Sequence, residues 1–192
     1  MVTRGYRAAW AGMILFGLYT VFALFFFRDP ARTIPGAGSD VVSPADGRVV
    51  AIEDLDSTPY YNGPCRRISI FMSPFNVHVN RAPVQGIVTK ILYQPGGYIN
   101  AMRPEASEHN ESNAIWMQTP YGPVTVRQIS GAIARRIVCR AGIGQTLERG
   151  QKFGMIKLGS RTELYLPAGT ELCVKMNDKV RAGSSIVARF SK

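Results

Sequence analysis

Cysteine and histidine are scarce in this chain of 192 residues. The three cysteines, Cys65, Cys139 and Cys173, are odd in number and form no CxxC pair. That argues against a disulfide framework and against a cysteine-rich zinc site. It fits small thiols in a reducing compartment. Only His78 and His109 can supply an imidazole. The chain also lacks GxxxxGK[ST], HExxH and GxSxG, so the commonest phosphate-loop, zinc-protease and serine-hydrolase signatures are missing. Gly142 and Gly144 form a lone GxG without a βαβ context, which makes no dinucleotide site. Acidic residues are few, 13 against 23 basic ones.

The resulting charge of +10 favours an anionic partner, nucleic acid or an anionic membrane surface. Its basic residues are scattered, with short pairs at Arg66-Arg67 and Arg135-Arg136. No basic stripe alternates with aromatics, so nucleic acid is not expected, and a solvated surface accounts for much of the charge. The N-terminus tilts the choice towards membrane. Between Arg7 and Arg28 no charge occurs, and residues 8–27 read AAWAGMILFGLYTVFALFFF. About twenty helical residues span roughly 30 Å, the thickness of a bilayer core. A signal peptide would have a shorter apolar stretch and a small-residue cleavage site. A buried soluble helix is the other alternative. The reading is an anchor that spans the bilayer or lies deep in one leaflet, with its orientation open because arginines flank both ends.

Past the anchor, RDPARTIPGAGSD reads as a Pro/Gly linker, which places a boundary between residues 1–35 and a body of 36–192. With 46% hydrophobic and 19% charged residues, that body can bury a core. Short apolar runs with period-2 alternation, broken by turn residues, predict a mainly β fold of short antiparallel strands, barrel- or sandwich-like. VVSPADGRVVAIEDL reads as strand, turn, strand. CRRISIFMS, FNVHVNRAPVQGIVTKILY and ARRIVCRAG supply further strands. SNAIWMQTPYGPVTVRQI reads as a hairpin around Pro120–Pro123. The closing ELCVKMNDKVRAGSSIVARF has a hairpin pattern like that of lipoyl domains. RPEASEHNESN, residues 103–113, is predicted as a short helix or loop.

Three places could carry chemistry. Asp46 lies in SPADGR, which on its own is a common turn. His78 lies in PFNVHVNRAP, where a strand would put Asn76, His78 and Asn80 on one face. Lone strand histidines are usually structural, but this one sits among polar neighbours. Ser160 follows Gly159 between two apolar runs, KFGMIKL and RTELYLP. A serine hydroxyl is a weak nucleophile and needs an adjacent base, which imidazole can supply and a carboxylate can orient. None of the three is specific alone.

In order along the chain, FFRDPARTIP, VVSPADGRV, SPFNVHVNRAPV, GGYINA with EASEHNESN, and GQKFGMIKLGSRTELYLP resemble the short form of phosphatidylserine decarboxylase. The resemblance runs from Phe26 to the C-terminal KVRAGSSIVARF. It implies a membrane-bound, self-processing lyase that converts phosphatidylserine to phosphatidylethanolamine and CO2. It implies that Ser160 Oγ attacks the Gly159 carbonyl, that the ester eliminates, and that Ser160 ends as a covalent pyruvoyl cofactor. The products would be a β chain, 1–159, and an α chain, 160–192. The pyruvoyl carbonyl would form a Schiff base with the substrate amine and act as an electron sink, as pyridoxal phosphate does elsewhere. His78, oriented by Asp46, would be the base. The resemblance further implies a homodimer of αβ units at the cell membrane, with the catalytic body cytoplasmic. No metal is expected.

One departure concerns the histidine block. Longer members carry H-x-x-H, and here it reads His78-Val79-Asn80-Arg81. Arg81 cannot act as a base, since its pKa exceeds about 12. Either His78 serves both self-cleavage and decarboxylation, or another group takes one role. A second Gly-Ser, Gly183-Ser184, lacks the flanking strand pattern and is the weaker scission candidate. The rival reading from another class is a membrane-tethered, non-enzymatic β module that binds anionic lipid or a protein partner.

Overall fold

The computed structural model describes residues 2–132, 136–157 and 159–190. It opens with α1 (Val2–Phe26), whose stretch Ala9–Phe26 is the one helix among the described residues long and apolar enough to cross a bilayer. Strands follow: β1 (Asp40–Val42), β2 (Gly47–Leu55), β3 (Cys65–Met72), β4 (Val79–Arg81) and β5 (Gly86–Gln94). A single helical turn, α2 (Ala106–His109), precedes β6 (Ser112–Thr119) and β7 (Gly122–Ile129). The rest is β8 (Ile137–Cys139), β9 (Thr146–Leu147), β10 (Lys152–Ile156), β11 (Ser160–Pro167), β12 (Glu171–Leu172), β13 (Lys179–Val180) and β14 (Ile186–Arg189).

The mainly β expectation holds, with one N-terminal apolar helix. Eight strands form a curled sheet in the order β13-β2-β3-β11-β7-β6-β5-β9. Two three-stranded sheets, β1-β14-β12 and β4-β10-β8, complete the body. Every strand pairing is antiparallel. Alternate residues of β3 (Ile68, Ile70, Met72), β7 (Val124, Val126) and β11 (Leu164, Leu166) fill one continuous core. Period-2 patterning dictates this, because successive side chains leave a strand on opposite faces.

The Pro120–Pro123 hairpin forms as read: Thr119 pairs with Gly122 across Pro120-Tyr121. The closing hairpin is made by β12 and β14, while β13 leaves it to pair with β2. SPADGR is a turn between β1 and β2, but those strands enter different sheets. RPEASEHNESN divides between α2 and the start of β6. Of ARRIVCRAG, Ala134 and Arg135 lie outside the described residues, and the strand is confined to Ile137–Cys139.

The segment read as a linker does not run free. Arg28 donates to the Phe75 carbonyl at 2.7 Å, and Asp29 pairs with Arg81 at 2.9 Å and with Lys152. Arg32 holds Asp46 through both carboxylate oxygens, at 3.0 and 2.8 Å. Pro and Gly fit a rigid strap as well as a flexible tether. What distinguishes them is where the three charged side chains find partners.

Candidate active site

The chain leaves β10 in one sheet and enters β11 in another across three residues. Gly159 stands at that corner with φ +67°, in the left-handed region. A side chain there would cost about 1–2 kcal/mol. Ser160 is the first residue of β11, opposite Met72 of β3, and is fully buried. The Gly-Ser pair is therefore a switch between sheets, held at the centre of the fold.

β4 lies against β10, with Val79 opposite Met155, and this brings His78 beside the corner. The Ile156 N–H donates to the His78 carbonyl at 3.2 Å. His78 is itself fully buried. Its Nδ1 lies 2.9 Å from the Asn76 carbonyl, and its Nε2 accepts the Gly159 N–H at 3.2 Å. A carbonyl can only accept, so Nδ1 carries the hydrogen. The imidazole is thereby held as the neutral tautomer, with its lone pair on the Gly159 N–H, one residue before the Ser160 hydroxyl. Burial pushes its pKa down to about 4. Arg28 adds to the depression, while the Asn76 hydrogen bond and the Asp46 charge oppose it.

Two expected contacts are not formed. Asp46 does not orient His78, because that position is taken by the Asn76 carbonyl. The Asp46 carboxylate instead accepts from Arg32 and from the Ala182 N–H at 2.7 Å. It sits in a tight turn whose reach is spent on those donors, and it touches His78 only through its field. Nor does Nε2 meet the Ser160 hydroxyl. Ser160 Oγ lies 3.4 Å from Met72 Sδ. A thioether sulfur is a weak acceptor, so the hydroxyl is loosely held one residue away from the base.

The core-facing side of β11 continues as a chain of neutral hydrogen bonds. Asn113 donates to Gln128, and Gln128 to Asn80. Asn80 donates to Thr162 Oγ1 at 3.1 Å, and Thr162 shares Met72 Sδ with Ser160. Asn80 thus stays with the site as the alternation suggested, although β4 starts only after His78. Arg81 is turned towards Asp29 and the Gly150 carbonyl, so the residue in place of a second histidine is structural in this geometry.

Gly131 had no signal in the sequence. A Cβ on Gly131 would overlap the Gly159 carbonyl oxygen. Only a bare backbone lets that carbonyl into its place. Phe26, Arg32, Met72 and Thr162 were equally invisible, because each matters through a partner remote in sequence. His109 is exposed on α2, away from this cluster. Gly183-Ser184 forms part of the turn before β14, where the Gly183 N–H donates to the Ser43 carbonyl. Among the described residues no cluster of metal-ligating side chains occurs.

Ser73 and Asn76 also line a cavity of about 880 Å³. Asp46 and Met102 line it too, together with the cations Arg48, Lys179 and Arg181.

The family model described as phosphatidylserine decarboxylase matches residues 19–188. A protein of Paraburkholderia phymatum named phosphatidylserine decarboxylase proenzyme is 47% identical over 187 residues, covering 97% of this chain and 86% of its own. The protein of that name from Nitrosomonas europaea is 45% identical over 186 residues, covering 96% and 86%. That from Magnetococcus marinus is 44% identical over 185 residues, covering 95% and 85%. By a family-model match over residues 19–188 and identities of 44–47% across nearly its whole length, the chain belongs to the phosphatidylserine decarboxylase family.

Proposed function

We propose that this chain cuts itself between Gly159 and Ser160 and then decarboxylates phosphatidylserine to phosphatidylethanolamine and CO2. The observation that carries the reading is the Gly159-Ser160 corner. A dry serine follows a left-handed glycine whose N–H rests on a neutral imidazole.

Ser160 Oγ turns from Met72 and attacks the Gly159 carbonyl carbon, and His78 Nε2 takes the hydroxyl proton. The peptide becomes an ester. Loss of the Ser160 α-proton expels the Gly159 carboxylate, and hydrolysis of the resulting dehydroalanine releases ammonia. Ser160 is left as a pyruvoyl group at the start of the α chain. Burial suits each step: the imidazole stays neutral, and water is kept from the ester before elimination. General acid–base help of this kind contributes about 10²–10⁴-fold. The site fits the group it would carry, because Ser160 heads a central strand whose pairing to β3 does not depend on the Gly159-Ser160 bond.

When formed, the pyruvoyl carbonyl supplies the electron sink that decarboxylation needs. The chain's own residues do the rest. Arg48, Lys179 and Arg181 offer positive charge to the substrate phosphate at the cavity rim. His78 holds and returns a proton beside Ser160. Asp46 acts at one remove, by fixing Arg32 and the Ala182 turn. The apolar helix keeps the site at a membrane, where the substrate is.

Denaturing electrophoresis and mass spectrometry of freshly made protein test the reading. The expected result is two chains, 1–159 and 160–192, the second with a blocked N-terminus of pyruvoyl mass. Ser160→Ala stays whole and releases no CO2 from phosphatidylserine vesicles. An unprocessed wild-type chain that still decarboxylates the lipid overturns the mechanism. An unprocessed and inactive one favours the non-enzymatic lipid-binding module.

A further inference from the structure

The strap after α1 supplies a partner to the groups around the scissile bond. Asp29 takes Arg81, Arg32 takes Asp46, and Arg28 caps the helix end while gripping the Phe75 carbonyl. Phe26, the last residue of α1, reaches His78 itself. Its ring centroid lies 4.4 Å from that of His78, tilted by 36°. Phe26 is 2% exposed, whereas the rest of the Ala9–Phe26 stretch is almost wholly uncovered. Phe27 extends an apolar wall beside it, at 5.1 Å, while Phe22 stands on the outer, more exposed side of Phe26, at 5.9 Å, with no ring contact to His78.

An aromatic ring at the end of a membrane helix has no need of the protein to escape water, since lipid offers the same apolar surroundings. Its seat on the imidazole is therefore informative. The ring covers one face of His78 while Asn76 and Gly159 occupy its two nitrogens.

We propose that Phe26 is a positioning residue of the active site: its ring seals His78 from water and holds Nε2 on the Gly159 N–H, next to Ser160, so that seating the apolar helix completes the site. The inference rests on the reading of His78 as the base for Ser160. The charged groups facing His78 are Arg28 from the strap and Asp46 from the β1–β2 turn, the latter paired with Arg32. Lys157 lies over the Phe27 ring, at the same wall. With the ring removed, water reaches the imidazole and the desolvation that opposes protonation is relieved.

The test needs no turnover. In the uncut Ser160→Ala, His109→Gln chain, His78 is the sole histidine, and its ring protons can be followed by NMR in detergent micelles. The parent should titrate below pH 5. Phe26→Ala should raise the midpoint by about one unit or more. Phe26→Leu, which keeps an apolar cover, should stay near the parent. Phe22→Ala, on the more exposed side of the helix end, should leave the midpoint unmoved. In the self-cleaving chain, the acidic limb of the processing rate should move with the midpoint. Equal midpoints in the parent and Phe26→Ala overturn the inference. So does a shift in Phe22→Ala as large as that in Phe26→Ala, which would report a loosened helix. Failure of the wild-type chain to process would count against the proposed function and leave the titration result standing.

Discussion

On β11, Ser160, Thr162 and Leu164 look into the core, while Arg161, Glu163 and Tyr165 look the other way, and both sets are buried. The core face handles polarity with neutral groups: amides, hydroxyls and one thioether. The opposite face uses charge. Glu163 accepts from Ser107 and from Tyr165, each at 2.6 Å, and pairs with Arg127 at 3.4 Å and Arg67 at 3.8 Å. Arg161 donates to Ser107 and to the Met102 carbonyl, which ties β11 to the segment around α2. The difference teaches where a reactive group can live. The ionic layer ties the strand to its neighbours, although Arg127 Nε and Arg161 Nε find no partner among the described residues, and the neutral side leaves the Ser160 hydroxyl held only by sulfur.

Removing the charge at the centre of the ionic face should have the largest effect on stability. Glu163→Ala leaves Arg127 and Arg67 facing an empty place, and breaking a buried pair in this way costs about 3–5 kcal/mol. Denaturant unfolding of the uncut Ser160→Ala background should read that loss. A loss below about 1 kcal/mol would mean that the two faces do not differ as described.

Acid should act on the neutral face through His78. An unfolded histidine titrates near 6.5, and the folded one is pushed down to about 4. The unfolded chain therefore binds the proton first as pH falls. Stability contributed by the neutral imidazole is complete above about 6.5 and is lost progressively down to about 4, about 3 kcal/mol in all. His78→Gln in the same background should flatten this window. A stability profile that is flat from pH 6.5 to 4 with His78 present would contradict the burial argument.

The smallest effect should come from the hydrogen-bonded amides. Thr162→Val removes the acceptor of Asn80 without changing volume, at a cost of about 1–3 kcal/mol. It also takes away the hydroxyl that shares Met72 Sδ with Ser160. Processing, followed by electrophoresis, should change rate in Thr162→Val while remaining near normal in ionic-face variants that still fold. The reverse pattern would exchange the roles of the two faces.

Strand identity was legible in residues 41–55, 65–73 and 112–129 because alternation and turn residues are local quantities. The burial of Arg161 and Glu163 on β11 is not a local quantity, because it comes from the segment around α2 that bonds to them. His78, Asp46 and Ser160 were visible as residue types in a known order, and Gly159 by its place before the serine. Their partners were not. Asp46 meets Arg32 rather than His78, and His78 meets Asn76, because a carboxylate in a tight turn is satisfied by whatever the strap and the C-terminal turn bring to it.

By itself, the sequence determined the β-rich body, the apolar helix and the identity of the one Gly-Ser bond placed between strand-forming runs, since periodicity, length and residue chemistry are written along the chain. The tertiary structure alone decided that this bond spans two sheets, that Gly131 admits its carbonyl, and that Phe26 lies on the imidazole. Those contacts join Gly131 to Gly159, 28 positions apart, and Phe26 to His78, 52 apart. No local pattern encodes them, and only the packing of sheets and strap can set which groups meet and which are kept dry.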